Sequence, residues 1–157
     1  MDKLNNFRSD IYFKKLFLIT TFSSLAFFAL AVLRHYLLQS NAYDLGLFDQ
    51  WIWLTSRNLP SYSTMTGLHM FADHGAWILY FISVLYKLIP DINILFLSQS
   101  LSLCFTTIPL WLLCKKNNLS SKVGFLIGTF WLLQPTVFNI NLFDFHPEVW
   151  AMPWIGF

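Results

Sequence analysis

Uncharged apolar blocks alternate with short polar connectors along the chain. Leu16–Leu33, Ile92–Leu113 and Val123–Phe138 carry no charged side chain. Roughly twenty such residues cross a bilayer core, and slightly shorter runs still cross by local thinning or snorkelling. The pattern therefore predicts membrane helices over 16–33, 92–113 and 123–138, after a polar tail over 1–15. Ala76–Ile89 is apolar but short, with Lys87 near its end and Pro90-Asp91 closing it, so it reads as a short or re-entrant element. From Val149 a further apolar run opens and ends before it is long enough to cross. Pro109 is expected to kink its span, and Gln134-Pro135 falls near the far end of the next. Gly124 and Gly128 are spaced as GxxxG, which permits close helix contact.

Gln39–Gly75 is the longest stretch outside the apolar blocks. Within it Leu47, Phe48, Trp51, Ile52 and Thr55 recur at helical spacing, with Asp44 as the expected N-cap. Trp51 and Trp53 suit the membrane interface, so this segment is read as an interfacial helix lying on the bilayer. Asn58-Leu59-Pro60-Ser61 ends it, and 61–66 is expected to be coil. The predicted fold is all-α, a polytopic transmembrane bundle with an interfacial helix in its first outer loop.

Composition supports a membrane location. Apolar residues make up 56% of the chain and charged residues 11%, too few to coat a soluble domain. The formal net charge of +2 gives no basic face for nucleic acid. The positive charges cluster instead: Lys3, Arg8, Lys14 and Lys15 before the first block, and Lys115, Lys116 and Lys122 between the last two spans. The positive-inside rule puts both clusters in the cytoplasm. If 76–89 crossed fully, the lysine turn would fall outside and Asp144–Glu148 inside, against that rule. If it does not cross, both acidic segments emerge on the outer side, which is the preferred topology. Ala29-Leu30-Ala31 resembles a signal-peptide cleavage site, but the apolar run continues beyond it, which favours an uncleaved anchor. Cys104 and Cys114 are read as small apolar packing residues, with no disulfide or metal role.

The chain has eight acidic residues and four histidines. Most of them fall in two segments, Tyr43–His74 and Asp144–Glu148. Ionisable groups beside lipid are costly, so such clustering points to function. Asp44 and Asp49 are the candidate catalytic carboxylates. Asp73, His74, Asp144, His146 and Glu148 are candidates for binding substrate or phosphate. Each also has a plain structural role open to it: a helix cap for Asp44, a solvated face for Asp49, turns for the Asp73-His74 pair and the Asp144–Glu148 string. The spacing matches neither HExxH nor CxxC, so a divalent metal is admitted but not specified.

Taken together, Tyr43-Asp44-Leu45-Gly46-Leu47-Phe48-Asp49-Gln50, then Asp73-His74, Gln99 within a span, and Asp144-Phe145-His146-Pro147-Glu148 resemble the bacterial membrane proteins grouped as domain of unknown function 2079. The resemblance covers nearly all of the chain from the first span onward. It departs after His74, where many members have Phe-Ser-Pro and this chain has Gly75-Ala76-Trp77. Members run to several hundred residues with many spans, which implies that this chain is the N-terminal part of such a fold. The family is similar in layout to the C-type glycosyltransferases. They have a short cytoplasmic N-terminus, a first helix, and a large outer loop whose carboxylate works at the membrane surface. This similarity implies a multi-pass protein of the bacterial inner membrane whose partners are membrane lipid and a polyprenyl-phosphate-linked sugar. The alternatives are a non-catalytic transporter or envelope scaffold, and an inactive fragment.

Overall fold

The computed structural model describes residues 9–155, and among these it is all-helical apart from one isolated bridge between Tyr62 and His69. Helix α1, Ile11–Tyr36, runs about 39 Å at 1.5 Å per residue, enough to cross a bilayer. It is longer than the apolar block at both ends. At the start, the Asp10 carboxylate accepts from the N–H groups of Tyr12 and Phe13, so the helix begins within the segment expected to be tail. At the end, Arg34 and His35 suit the negative pole of the helix dipole.

The second crossing is α5, Asn93–Phe105, continued by α6, Thr107–Lys116, and together they pass as one candidate span of 24 residues. The junction lies at Thr106, three residues ahead of Pro109. A proline ring crowds the carbonyl four residues back and supplies no N–H, so the irregularity appears upstream of it. A third candidate crossing is the pair α7, Ser121–Leu132, and α8, Pro135–Leu142, bent by 45° at their break. Pro135 opens α8, where a missing N–H costs nothing. The expected span over 123–138 is therefore a broken pair.

Contacts between these helices fix their directions. Thr20 and Thr107 share a hydrogen bond at 2.7 Å, and Phe13 packs on Trp111 with ring centroids 4.9 Å apart. His35, at the other end of α1, packs on Phe96 of α5 at 5.4 Å. Thus α1 and α5–α6 are antiparallel. Tyr12 meets Phe125 and Phe27 meets Phe138, so α7–α8 runs parallel to α1. The glycine pair serves contact within the chain. A Cβ on Gly124 would lie 2.7 Å from the Trp111 ring, and one on Gly128 would lie 2.8 Å from Leu16 of α1.

One end of the bundle gathers Asp10, Lys115 and Ser121, joined by hydrogen bonds to the Ser121 hydroxyl. Burial alone would raise the Asp10 carboxyl. The Ser121 hydroxyl, the Phe13 and Tyr12 N–H groups and the Lys115 charge outweigh it and hold that carboxyl below its ordinary value. The other end carries helices α2, Ala42–Ser56, α3, Met70–Asp73, and α4, Ile78–Leu88. Their apolar side chains join the last turns of α1 in a single cluster: Leu45, Phe48, Trp51, Leu79 and Ile82 pack with Ala31, Phe28 and Val32. With 11 residues, α4 is about 16 Å long, half a bilayer core. The chain enters α2 and leaves α4 at this same end, because Asn41 is bonded to Asp144 and α5 starts beside His35. After Phe143 a 3-10 turn, Pro147–Ala151, and α9, Met152–Ile155, close the described chain.

Candidate functional site

The site is organised around the start of α2. Asn41, not Asp44, is its N-cap: the Asn41 side chain accepts from the Tyr43 N–H at 3.0 Å. Asp44 lies three residues into the helix and accepts from the Asn41 side-chain amide at 3.0 Å, where a carboxylate also favours the positive pole. The choice of cap is made from a distance. The Asn41 backbone N–H donates to Asp144 at 2.7 Å, and the other oxygen of that carboxylate takes the Arg34 guanidinium at 2.9 Å. The Asp144 side chain is fully buried, whereas that of Arg34 is 25% exposed. One carboxylate thus fastens the end of α1, the start of α2 and the segment after α8. Asp144 is occupied by protein groups.

The two acid–histidine segments meet on the buried face of α2. The Phe48 ring takes His74 edge-on at 5.0 Å, His146 at 5.9 Å and Phe145 at 5.6 Å. His74 also meets Trp51 at 5.9 Å. Its Nδ1 lies 2.9 Å from a carboxylate oxygen of Asp73, an arrangement that directs Nε2 away from that carboxylate. Asp49, expected on an exposed face, is half-buried and accepts from the Tyr86 hydroxyl. Burial first, and then the hydrogen bond and charge of Asp49 with a contribution from Asp91, pushes the Tyr86 phenol above its ordinary range. Glu148 is exposed on the 3-10 turn. Among the described residues no three His, Cys, Asp or Glu side chains are grouped as a metal ligand set.

Two buried amides hold the second segment in place. The Gln99 side chain donates to the Asp144 carbonyl at 2.7 Å and lies within reach of the carbonyls of Ile140 and Asn141, while its oxygen accepts from the His146 N–H at 2.8 Å. The last carbonyls of a helix lack partners within it, so Gln99 supplies them at the end of α8. Asn141 donates to the Phe27 carbonyl at 2.9 Å and accepts from Ser100 at 2.8 Å, tying α1, α5 and α8 together. The sequence marked Gln99 through the family strings alone. Arg34, Tyr86 and Asn141 carried no signal in spacing, since each partner lies tens of residues away, as does Asp144, which takes the Asn41 N–H.

The strings that carried the resemblance therefore lie together in space, and the family described as "Predicted membrane protein (DUF2079)" matches residues 34–157. The chain belongs to that family. The match begins at Arg34 and so includes both partners of the buried ion pair. No curated protein and no solved structure matches the chain. Belonging to this DUF2079 family establishes a membrane protein, and the helices are apolar and long enough for that setting.

Proposed function

We propose that the chain carries the polar site of a glycosyltransferase-like membrane enzyme, facing outward from a bacterial inner membrane and using a polyprenyl-phosphate-linked sugar. The observation that supports this most is the meeting of Tyr43–His74 and Asp144–Glu148 around Phe48, at the end of the bundle away from the lysine turn. In this reading a carboxylate of α2, Asp44 or Asp49, takes the proton of an acceptor hydroxyl. The hydroxyl oxygen bonds the anomeric carbon, the bond from that carbon to phosphate breaks, and the carrier phosphate leaves with the electron pair. His74, whose Nδ1 is bonded to Asp73, and His146 would meet the phosphate in this reading. Glu148 is open to a divalent cation or the acceptor. Asp144 acts by holding α2.

A transporter would draw on polar side chains inside the bundle. Thr20, Thr107, Ser100, Ser102, Gln99 and Asn141 are buried there, but they bond to one another or to carbonyls of neighbouring helices. That pattern fits helix-to-helix fastening better than a path. The test is transfer of a labelled sugar from a polyprenyl phosphate, by the chain and by a longer member of its family in liposomes. Transfer lost in Asp44→Asn or Asp49→Asn and kept in Asp91→Asn supports the proposal. Transfer unaffected by both α2 substitutions removes the catalytic assignment.

A further inference from the structure

The end of the bundle away from the site concentrates positive charge. Lys14 and Lys15 lie near the start of α1, Lys115 and Lys116 close α6, and Lys122 lies in the first turn of α7. The contacts of Tyr12 with Phe125 and of Phe13 with Trp111 bring these three helix ends together. Among the described residues Asp10 is the only carboxylate at this end, and the Tyr12 and Phe13 N–H groups and the Ser121 hydroxyl already engage it. None of the lysines makes an ion pair among the described residues. Lys115 donates to Ser121 at 3.0 Å, whereas the exposed Lys14, Lys116 and Lys122 make no side-chain hydrogen bond there. The chain supplies no counter-charge for these ammonium groups, so their field draws anions from outside it.

Their depth decides which anion they meet. Helix α1 and the α5–α6 span are long and apolar enough to cross a bilayer, so the ends that carry the lysines fall at the headgroup layer. The Lys15 ammonium stands 5.9 Å from the centre of the Tyr12 ring, and that of Lys115 stands 5.8 Å from the Trp111 ring. Tyrosine and tryptophan suit that layer, and lysine stems lie along apolar surface there while the ammonium reaches the polar zone. Both α1 and α7 begin at this end, so two positive helix poles add to the lysines. The dense anion of the headgroup layer is lipid phosphate. A zwitterionic headgroup brings its own cation, so net negative charge comes from anionic phospholipids. We propose that the lysine end binds the phosphate groups of anionic phospholipids in the leaflet it faces. This is independent of the transferase reading, because no residue of the proposed site takes part.

The test uses the full chain in bilayers that contain spin-labelled phosphatidylglycerol or spin-labelled phosphatidylcholine. Electron paramagnetic resonance gives the fraction of each lipid held at the protein surface. One lysine near an anionic surface favours association roughly fivefold. Averaged with a leaflet that shows no preference, phosphatidylglycerol should be favoured about threefold at low salt. At about 1 M salt the Debye length is about 3 Å, and the preference should fall to near unity. Lys14→Gln, Lys116→Gln and Lys122→Gln together should bring it below about twofold, whereas Lys14→Arg, Lys116→Arg and Lys122→Arg together should keep it. Arg57→Gln with Lys87→Gln, at the opposite end, should leave it unchanged. All these side chains are exposed, so the fold tolerates the changes. The absence of any preference at low salt overturns the proposal. So does a preference that survives the triple glutamine variant, or one that disappears with Arg57→Gln and Lys87→Gln.

Discussion

Replacing Arg34 by methionine tests whether Asp144 is the fastening point of the site. The substitution keeps an apolar stem of similar length and removes the guanidinium. Asp144 is then left with a fully buried carboxylate and one donor, the Asn41 N–H at 2.7 Å. Removing one partner of a buried pair costs 3–5 kcal/mol, and with Arg34 25% exposed the lower end, about 3 kcal/mol, is expected. Asp144→Asn should cost less, about 1–2 kcal/mol, because no buried charge is stranded and the Asn41 N–H keeps an acceptor. The double variant should lie well below the sum of the two, with a coupling of about 1–2 kcal/mol. The assay is denaturant unfolding in detergent micelles, followed by reaction of a fluorogenic thiol reagent with Cys104, which is fully buried in the fold. Additivity within about 0.5 kcal/mol would show that the two side chains do not act as a pair, and the reasoning would fail.

Three further outcomes follow from the same geometry. Gln99→Ala should lose about 2–3 kcal/mol in that assay, since it leaves the His146 N–H and the Asp144 carbonyl without their partner. Gly124→Ala should lose about 1–3 kcal/mol, because the added methyl meets the Trp111 ring at 2.7 Å and the core must shift. Asp10 is held below the ordinary range of an aspartate carboxyl in the fold, so its contribution is complete above that ordinary range. It is lost as pH falls through the lower folded value. Unfolding measured from pH 6 downward should therefore show a loss of stability that Asp10→Asn shares only in part.

Much of the fold was readable because lipid imposes it. Runs without charge at 16–33 and 92–113 lie in helices long enough to cross, whereas the run at 123–138, expected as one span, is broken ahead of Pro135. The short run at 76–89 was marked by its length, and the structure gives it a helix half a bilayer long. The cap of α2 was misjudged for a physical reason. Asn41 and Asp44 are both good capping residues, and Asp144, far along the chain, decides between them by taking the Asn41 N–H. The same distance hid the pair of Arg34 with Asp144 and the placement of Asn141. Asp49 looked exposed because helical periodicity shows which face is polar, not which tyrosine from another helix lies against it.

The central claim is that the polypeptide from Tyr43 to His74 and that from Asp144 to Glu148 stand at one membrane surface, with the lysine turn at the other. Labelling by a membrane-impermeant thiol reagent tests it, in a chain with Cys104 and Cys114 replaced by alanine and a single cysteine at the exposed positions Tyr43, Glu148 or Lys122. Intact cells and inverted vesicles provide the two sides. Positions 43 and 148 should react from the same side, and position 122 only from the opposite one. Reaction of 43 and 148 from opposite sides would contradict the account.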